Sequence, residues 1–215
     1  MRSSKYPLAL LASLSIACST AFSQAPLNSE IQISKIEANL IDSPKINVGG
    51  YSKKAPGRPG QWLEVEVTFD RAPNPKSPLY ADELTFNYYI LLKNEADTED
   101  RKPTLLTGSV THVHVAQGKG LHAVAFVSPK TLARFFAGKV PVNAQAMLVD
   151  YGVTVTGKEG LLAIATSKGS VKGDKGWWDN PIYAPTAGFV LSKDQTPFAP
   201  LEWDFYEAVK PSAKN

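Results

Sequence analysis

The sequence predicts an all-β fold, an antiparallel β-sandwich of two layers carrying one short helix at about 128–137. Three observations predict it. Apolar and polar residues alternate with period two from residue 30 onward, the runs are short and broken by Pro- and Gly-rich stretches, and only one stretch has helical spacing. Alternation puts every second side chain on one face of a strand, so such runs bury one face and wet the other. A closed barrel is the alternative that satisfies the same pattern. Neither an internal repeat nor a heptad appears.

The first run places Ile31, Ile33, Ile36, Ala38 and Leu40 on one face, with a phase slip at Lys35 that predicts a bulge. Residues 42–60 (DSPKINVGGYSKKAPGRPG) read as a long loop. Leu63, Val65, Val67 and Phe69 form the cleanest strand, ended by Pro73, Pro75 and Pro78. A second long run, Leu84, Phe86, Tyr88, Ile90 and Leu92, ends in a polar tip from Asn94 to Lys102. The runs 105–115 and 121–127 flank Gln117-Gly118-Lys119-Gly120, which reads as the turn of a hairpin. Ser128 as N-cap, Pro129 in the first turn, one apolar face of Leu132, Phe135 and Phe136, and Gly138 as stop define the helix. Alternation resumes over 147–155, Lys158-Glu159-Gly160 turns the chain, and 161–165 makes a further short strand. Residues 167–176 read as a loop, before apolar segments at 177–183 and 187–191.

At the N-terminus, Arg2 and Lys5 precede the apolar run Leu8 to Ala17, and Ala21-Phe22-Ser23 makes an A-x-S cleavage site. That is the pattern of a secretory leader, and the run is shorter than the ~20 apolar residues a bilayer span needs. Residues 1–23 are therefore read as a signal peptide, 24–195 as the sandwich domain, and 196–215 as a tail that docks on the domain or on a partner. No span crosses a membrane after cleavage, and the product belongs in the periplasm or at the cell surface, associated with the outer membrane. The single cysteine, Cys18, lies inside the leader, leaving the mature chain without a thiol. A competing reading takes Ser15-Ile16-Ala17-Cys18 as a lipobox with Cys18 acylated. The formal charge of +3 loses Arg2 and Lys5, and no basic cluster interleaved with aromatics remains, which excludes nucleic-acid binding.

Few residues suggest chemistry. His112, His114 and His122 lie within eleven positions, and a hairpin would set them on one face as a three-imidazole zinc site. The alternative makes them the polar side of an amphipathic hairpin whose other side is Thr111, Val113 and Val115, and no carboxylate stands nearby in sequence. No nucleophile, zinc-protease or phosphate-loop motif is present. The acidic tip Glu95, Asp97, Glu99, Asp100 lacks the spacing of a calcium loop and is offset by Arg101 and Lys102. No residue is assigned to catalysis, a cofactor or a metal, and the chain is read as a non-enzyme. Trp177-Trp178-Asp179-Asn180 with Tyr183, and Trp203, Phe205 and Tyr206, could stack on sugars or fill a partner's pocket, or could simply complete the core.

The tail Thr196-Pro197-Phe198-Ala199-Pro200-Leu201-Glu202-Trp203-Asp204-Phe205-Tyr206-Glu207 resembles the ending of a verrucomicrobial pilus-like protein family found with type IV pilus secretin genes. The strand Gln61 to Phe69 and the order of the strands after it are similar too. The resemblance implies an immunoglobulin-like sandwich, similar to the soluble domain of archaeal type IV pilins, on or near the cell surface. One departure matters. A type IV pilin keeps its apolar N-terminal helix, whereas here the apolar run precedes the cleavage site and Glu30 falls too late. The expected function is thus an exported, pilus-associated structural or binding component whose partners are envelope or pilus proteins. A secreted glycan-binding module using Trp177 or Trp178 and Tyr183 is the alternative.

Overall fold

The computed structural model describes residues 23–26, 30–44, 60–75, 77–168 and 171–211. Residues 1–22, with Cys18 and all but the last residue of the segment read as a leader, lie outside the described residues, as do most of the 42–60 stretch and part of 167–176. Among the described residues, ten strands form two open sheets: β1 (Ser23–Pro26), β2 (Ile31–Asp42), β3 (Gln61–Arg71), β4 (Tyr80–Leu92), β5 (Thr104–Ala116), β6 (Gly118–Val127), β7 (Leu148–Gly157), β8 (Gly160–Thr166), β9 (Pro185–Ala187) and β10 (Val190–Ser192). One sheet runs β1-β8-β7-β4-β5-β9, five strands plus the short edge piece β1, and the other runs β10-β6-β3-β2. They pack face to face as a β-sandwich, and because both sheets are open the barrel is excluded.

The alternating runs supply the core. Leu63, Val65, Val67 and Phe69 from β3 meet Phe86, Tyr88 and Ile90 from β4, each of them 0–1% exposed. The Phe69 and Phe86 rings sit 5.0 Å apart. The phase slip at Lys35 is a register shift between Ile33 and Lys35 where β2 pairs with β3. The helix spans Pro129–Phe135, with the Ser128 side chain accepting a hydrogen bond from the Thr131 amide and Gly138 in the left-handed region at φ 79°. Among the described residues there are two short helices rather than one. The second, Ala144–Met147, is a single turn capped by Asn143, too brief to leave a periodicity against the strand that follows it.

The expected hairpin at Gln117–Gly120 is corrected. The chain does turn there, with Gly120 at φ 64° and its amide held by the Asp70 carboxylate at 2.8 Å. However, β5 pairs with β4 while β6 pairs with β3 in the other sheet. The turn therefore steps between layers. Turn chemistry marks where a chain reverses, but the partner of the outgoing strand is set by the longest complementary apolar face. Both long alternating runs, β3 and β4, were available, and each took one arm.

Pro197 and Pro200 predict an extended path over 196–200, then either a strand face of Leu201, Trp203 and Phe205 or a helical turn; the extended path and the strand are not formed, and the chain turns instead. Residues 196–206 wind through turns closed by Ala199 to Thr196, Leu201 to Phe198 and Phe205 to Glu202 backbone bonds. The chain then stitches both layers together. The Glu207 amide donates to the His122 carbonyl on β6, while Val113 of β5 donates to Ala208 and Lys210 donates to Thr111.

Candidate functional site

Each outer face of the sandwich carries an aromatic cover. On the β4–β8 side, Trp178 lies flat on Tyr89, with centroids 4.2 Å apart and planes 3° from parallel. On a strand the adjacent Trp177 and Trp178 would point to opposite faces; the pair instead forms a short 3-10 turn. Trp177 meets Trp178 edge-on and Tyr183 closes against Trp177. A Cβ on Gly152 would collide with the Trp178 ring and stand 2.9 Å from the Ala165 carbonyl oxygen, so glycine there is what lets the indole lie down. Trp178 is 8% exposed. The tryptophans thus plug the outside of a sheet, not the sandwich interior, and the tail does not cover them.

The opposite cover is built by the tail. Phe198 stacks on Phe126 at 4.9 Å and meets Trp62 edge-on at 5.7 Å, burying the outward side of β3 and β6. Beyond Phe198 the cover lifts. A cavity of about 850 Å³ opens between the sheet and the tail, floored by Glu64, Glu66 and Phe126 and rimmed by Glu202, Trp203 and Tyr206. The rim is open to solvent: Trp203 is 75% exposed, Phe205 48% and Leu201 37%. Glu202 holds the left-handed conformation, φ 53°, immediately before Trp203, a local cost that the surrounding tail contacts sustain.

The cavity's electrostatics are uneven. Asp42, Glu64, Glu66, Glu202 and Asp204 line it against one ammonium, Lys193. Burial, then the Glu66 and Glu202 charges, push the Glu64 carboxyl up to about 7. Burial likewise raises the Tyr206 phenol well above its usual range, helped by Glu64, Glu66 and Glu202. Lys193 lies over the Trp203 and Tyr206 rings at 6.0 and 5.4 Å, and its ammonium donates to the Leu201 carbonyl. Burial holds it below its ordinary value, opposed by Glu202. An acid near neutrality beside open aromatic faces can hold a cation or carry a proton.

The histidines do not converge. His112 and His114 belong to β5 and His122 to β6 in the other sheet, and among the described residues no three ligand-type groups come together. His112 points into the core against Phe86, with its Nδ1 3.0 Å from the Glu207 carbonyl oxygen and its Nε2 buried without a partner among the described residues. That carbonyl can only accept, so Nδ1 carries the proton. Burial depresses its pKa to about 4. His114 takes φ 54°, is exposed, and shifts the alternation so that both His112 and Val115 are buried. His122 pairs with Glu66 at 2.7 Å and stacks under Phe205 at 4.0 Å. The carboxylate that sequence proximity did not offer comes from the neighbouring strand. In the acidic tip, the Asp97 carboxylate accepts from the Glu99 and Asp100 amides, closing its own turn.

Two features escaped the sequence. Arg71, 1% exposed, pairs with Glu30 at 2.8 Å and donates to the Pro78, Leu79 and Val115 carbonyls. The acidic cavity is the second, since its floor glutamates, Glu64 and Glu66, are more than a hundred residues from its rim in the chain. A clue existed in Glu64 and Glu66, the polar half of the cleanest alternation.

A protein-family model matches residues 23–213. The chain belongs to that family. Its fold is shared with a crystal structure from Akkermansia muciniphila, a verrucomicrobium, at a TM-score of 0.70 and 24% identity, covering 90% of this chain and 100% of the other. At that identity the likeness is one of fold. No curated protein matches the chain.

Proposed function

We propose that the chain is an exported, non-enzymatic binding component of a cell-surface assembly, of the type IV pilus-like kind that the tail resemblance implies, with the sandwich of the immunoglobulin-like variety. One observation carries this reading: the tail is folded onto its own domain yet leaves Leu201, Trp203 and Phe205 open around a cavity. Large aromatics left in water at a concave rim are the usual anchors of a partner surface. Export is supported by the leader pattern of residues 1–23 and by a family match that begins at residue 23. The glycan reading through Trp177 or Trp178 is weaker, because Trp178 spends a face on Tyr89 and Trp177 is packed by Tyr183.

The test places a photo-crosslinking amino acid at position 203 in the native host. The reading expects a protein that starts at Gln24, fractionates with the envelope, and forms one discrete adduct with an envelope protein. A full-length cytoplasmic product, or no adduct from position 203, would overturn it.

A further inference from the structure

We infer that the tail-built cavity receives a lysine or arginine side chain presented by a basic segment of a partner protein. This rests on the binding role proposed above and names the chemistry of its partner.

The first support is shape. The cavity holds about 850 Å³. That suits a few side chains of an extended segment, within the range of sites for small groups. The second is charge complementarity. Five carboxylates face one ammonium, formally −4, on a chain whose net charge is +3. Among the described residues only Glu66 of those acids has an ion-pair partner, His122. Glu64 and Glu202 repel one another with Lys193 as the one ammonium lining the cavity against five carboxylates, and an incoming cation relieves that repulsion. The third is an internal precedent. Lys193 already shows how this wall holds an ammonium, over the Trp203 and Tyr206 rings and against a tail carbonyl. Trp203 is 75% exposed, so it still offers aromatic surface to a second cation.

Competing occupants fit less well. A metal ion needs convergent ligands, and no such group of three is found among the described residues. A neutral sugar would use the aromatic rim but leave the carboxylates uncompensated in a partly desolvated site. Burial first, then the Glu66 and Glu202 charges, raises the Glu64 carboxyl, so this floor acid already stands partly desolvated among like charges.

The probe is a capped pentalysine peptide, titrated calorimetrically into the protein beside capped pentaglutamine and cellohexaose. The expected result is that only pentalysine binds, more weakly as salt rises. The double variant Glu64→Gln/Glu202→Gln should bind it roughly tenfold more weakly, about one charge-assisted contact. These substitutions remove like-charge repulsion, so thermal unfolding should show no loss of stability. Trp203→Ala, at an exposed position, should also weaken the peptide. Equal binding of pentaglutamine, binding of cellohexaose alone, or an unchanged affinity in the double variant would each overturn the inference. An envelope adduct at position 203 without pentalysine binding would overturn it too while leaving the binding role intact. Loss of the adduct would strike that role instead.

Discussion

The two aromatic covers use the same material to opposite ends. On one outer face Trp178 lies flat on Tyr89 over Gly152. On the other, Phe198 seals one end of the sheet, and the next eight residues arch away to leave Trp203 in water above Glu64 and Glu66. The difference lies beneath the rings. Where a glycine lets the indole reach the backbone, the cover closes and contributes stability. Where the strand's polar half is glutamate, a tight cover would bury uncompensated charge, and the tail stands off.

Breaking the covers should therefore give unequal results. Deleting residues 196–215 removes Phe198 and the three backbone bonds that join the layers at His122, Val113 and Thr111. It should lower stability by at least the ~3–5 kcal/mol of one core aromatic, read by chemical denaturation. An unchanged midpoint would show the tail to be an appendage. Trp178→Ala should cost ~3–5 kcal/mol by the same measurement, since a buried indole leaves a void. Gly152→Ala forces that indole off its seat and should cost ~1–3 kcal/mol; a neutral result would mean the ring shifts freely.

The pH profile sharpens the contrast. His112 is held neutral, its pKa lowered from 6.5 to about 4 by burial. Its contribution is present above 6.5 and is lost as pH falls toward 4, because the unfolded state then binds the extra proton. Glu64 runs the other way. Its pKa is raised from 4.5 to about 7, so stability falls as pH rises through that window, where the folded state holds the proton. The slopes oppose one another between about 4.5 and 6.5. In Glu64→Gln the midpoint should fall more steeply on acidification than in the parent chain, measured by thermal unfolding from pH 7 to 4.5. Identical profiles would remove Glu64 from the account. The smallest effect is Trp203→Ala, expected within roughly 0.5 kcal/mol of the parent because the side chain is exposed.

Much of the sandwich was legible because Leu63 to Phe69 and Leu84 to Tyr88 alternate without interruption, and alternation is a local consequence of the strand. The layer change after Ala116 was not legible. The Gln117–Gly120 turn looks the same whether β6 pairs with β5 or crosses to β3. The histidine site depended on that pairing and dissolved with it: His112 went to the core, and His122 found Glu66 on a strand fifty-six residues away. The tail's composition announced an apolar segment that needed a home. Its turned path did not show, because it is set by Phe198 finding Phe126 and by the backbone bonds of 207–210. The acidic cavity appears only once Glu64 and Glu202 meet.

The most direct measurement of the central claim, that one cover is structural and the other receptive, is a pentalysine titration of three proteins followed by calorimetry. The account predicts that the parent chain and Trp177→Phe bind the peptide alike, while Trp203→Ala binds it markedly more weakly at unchanged thermal stability. Loss of binding in Trp177→Phe, with Trp203→Ala behaving as the parent, would contradict it.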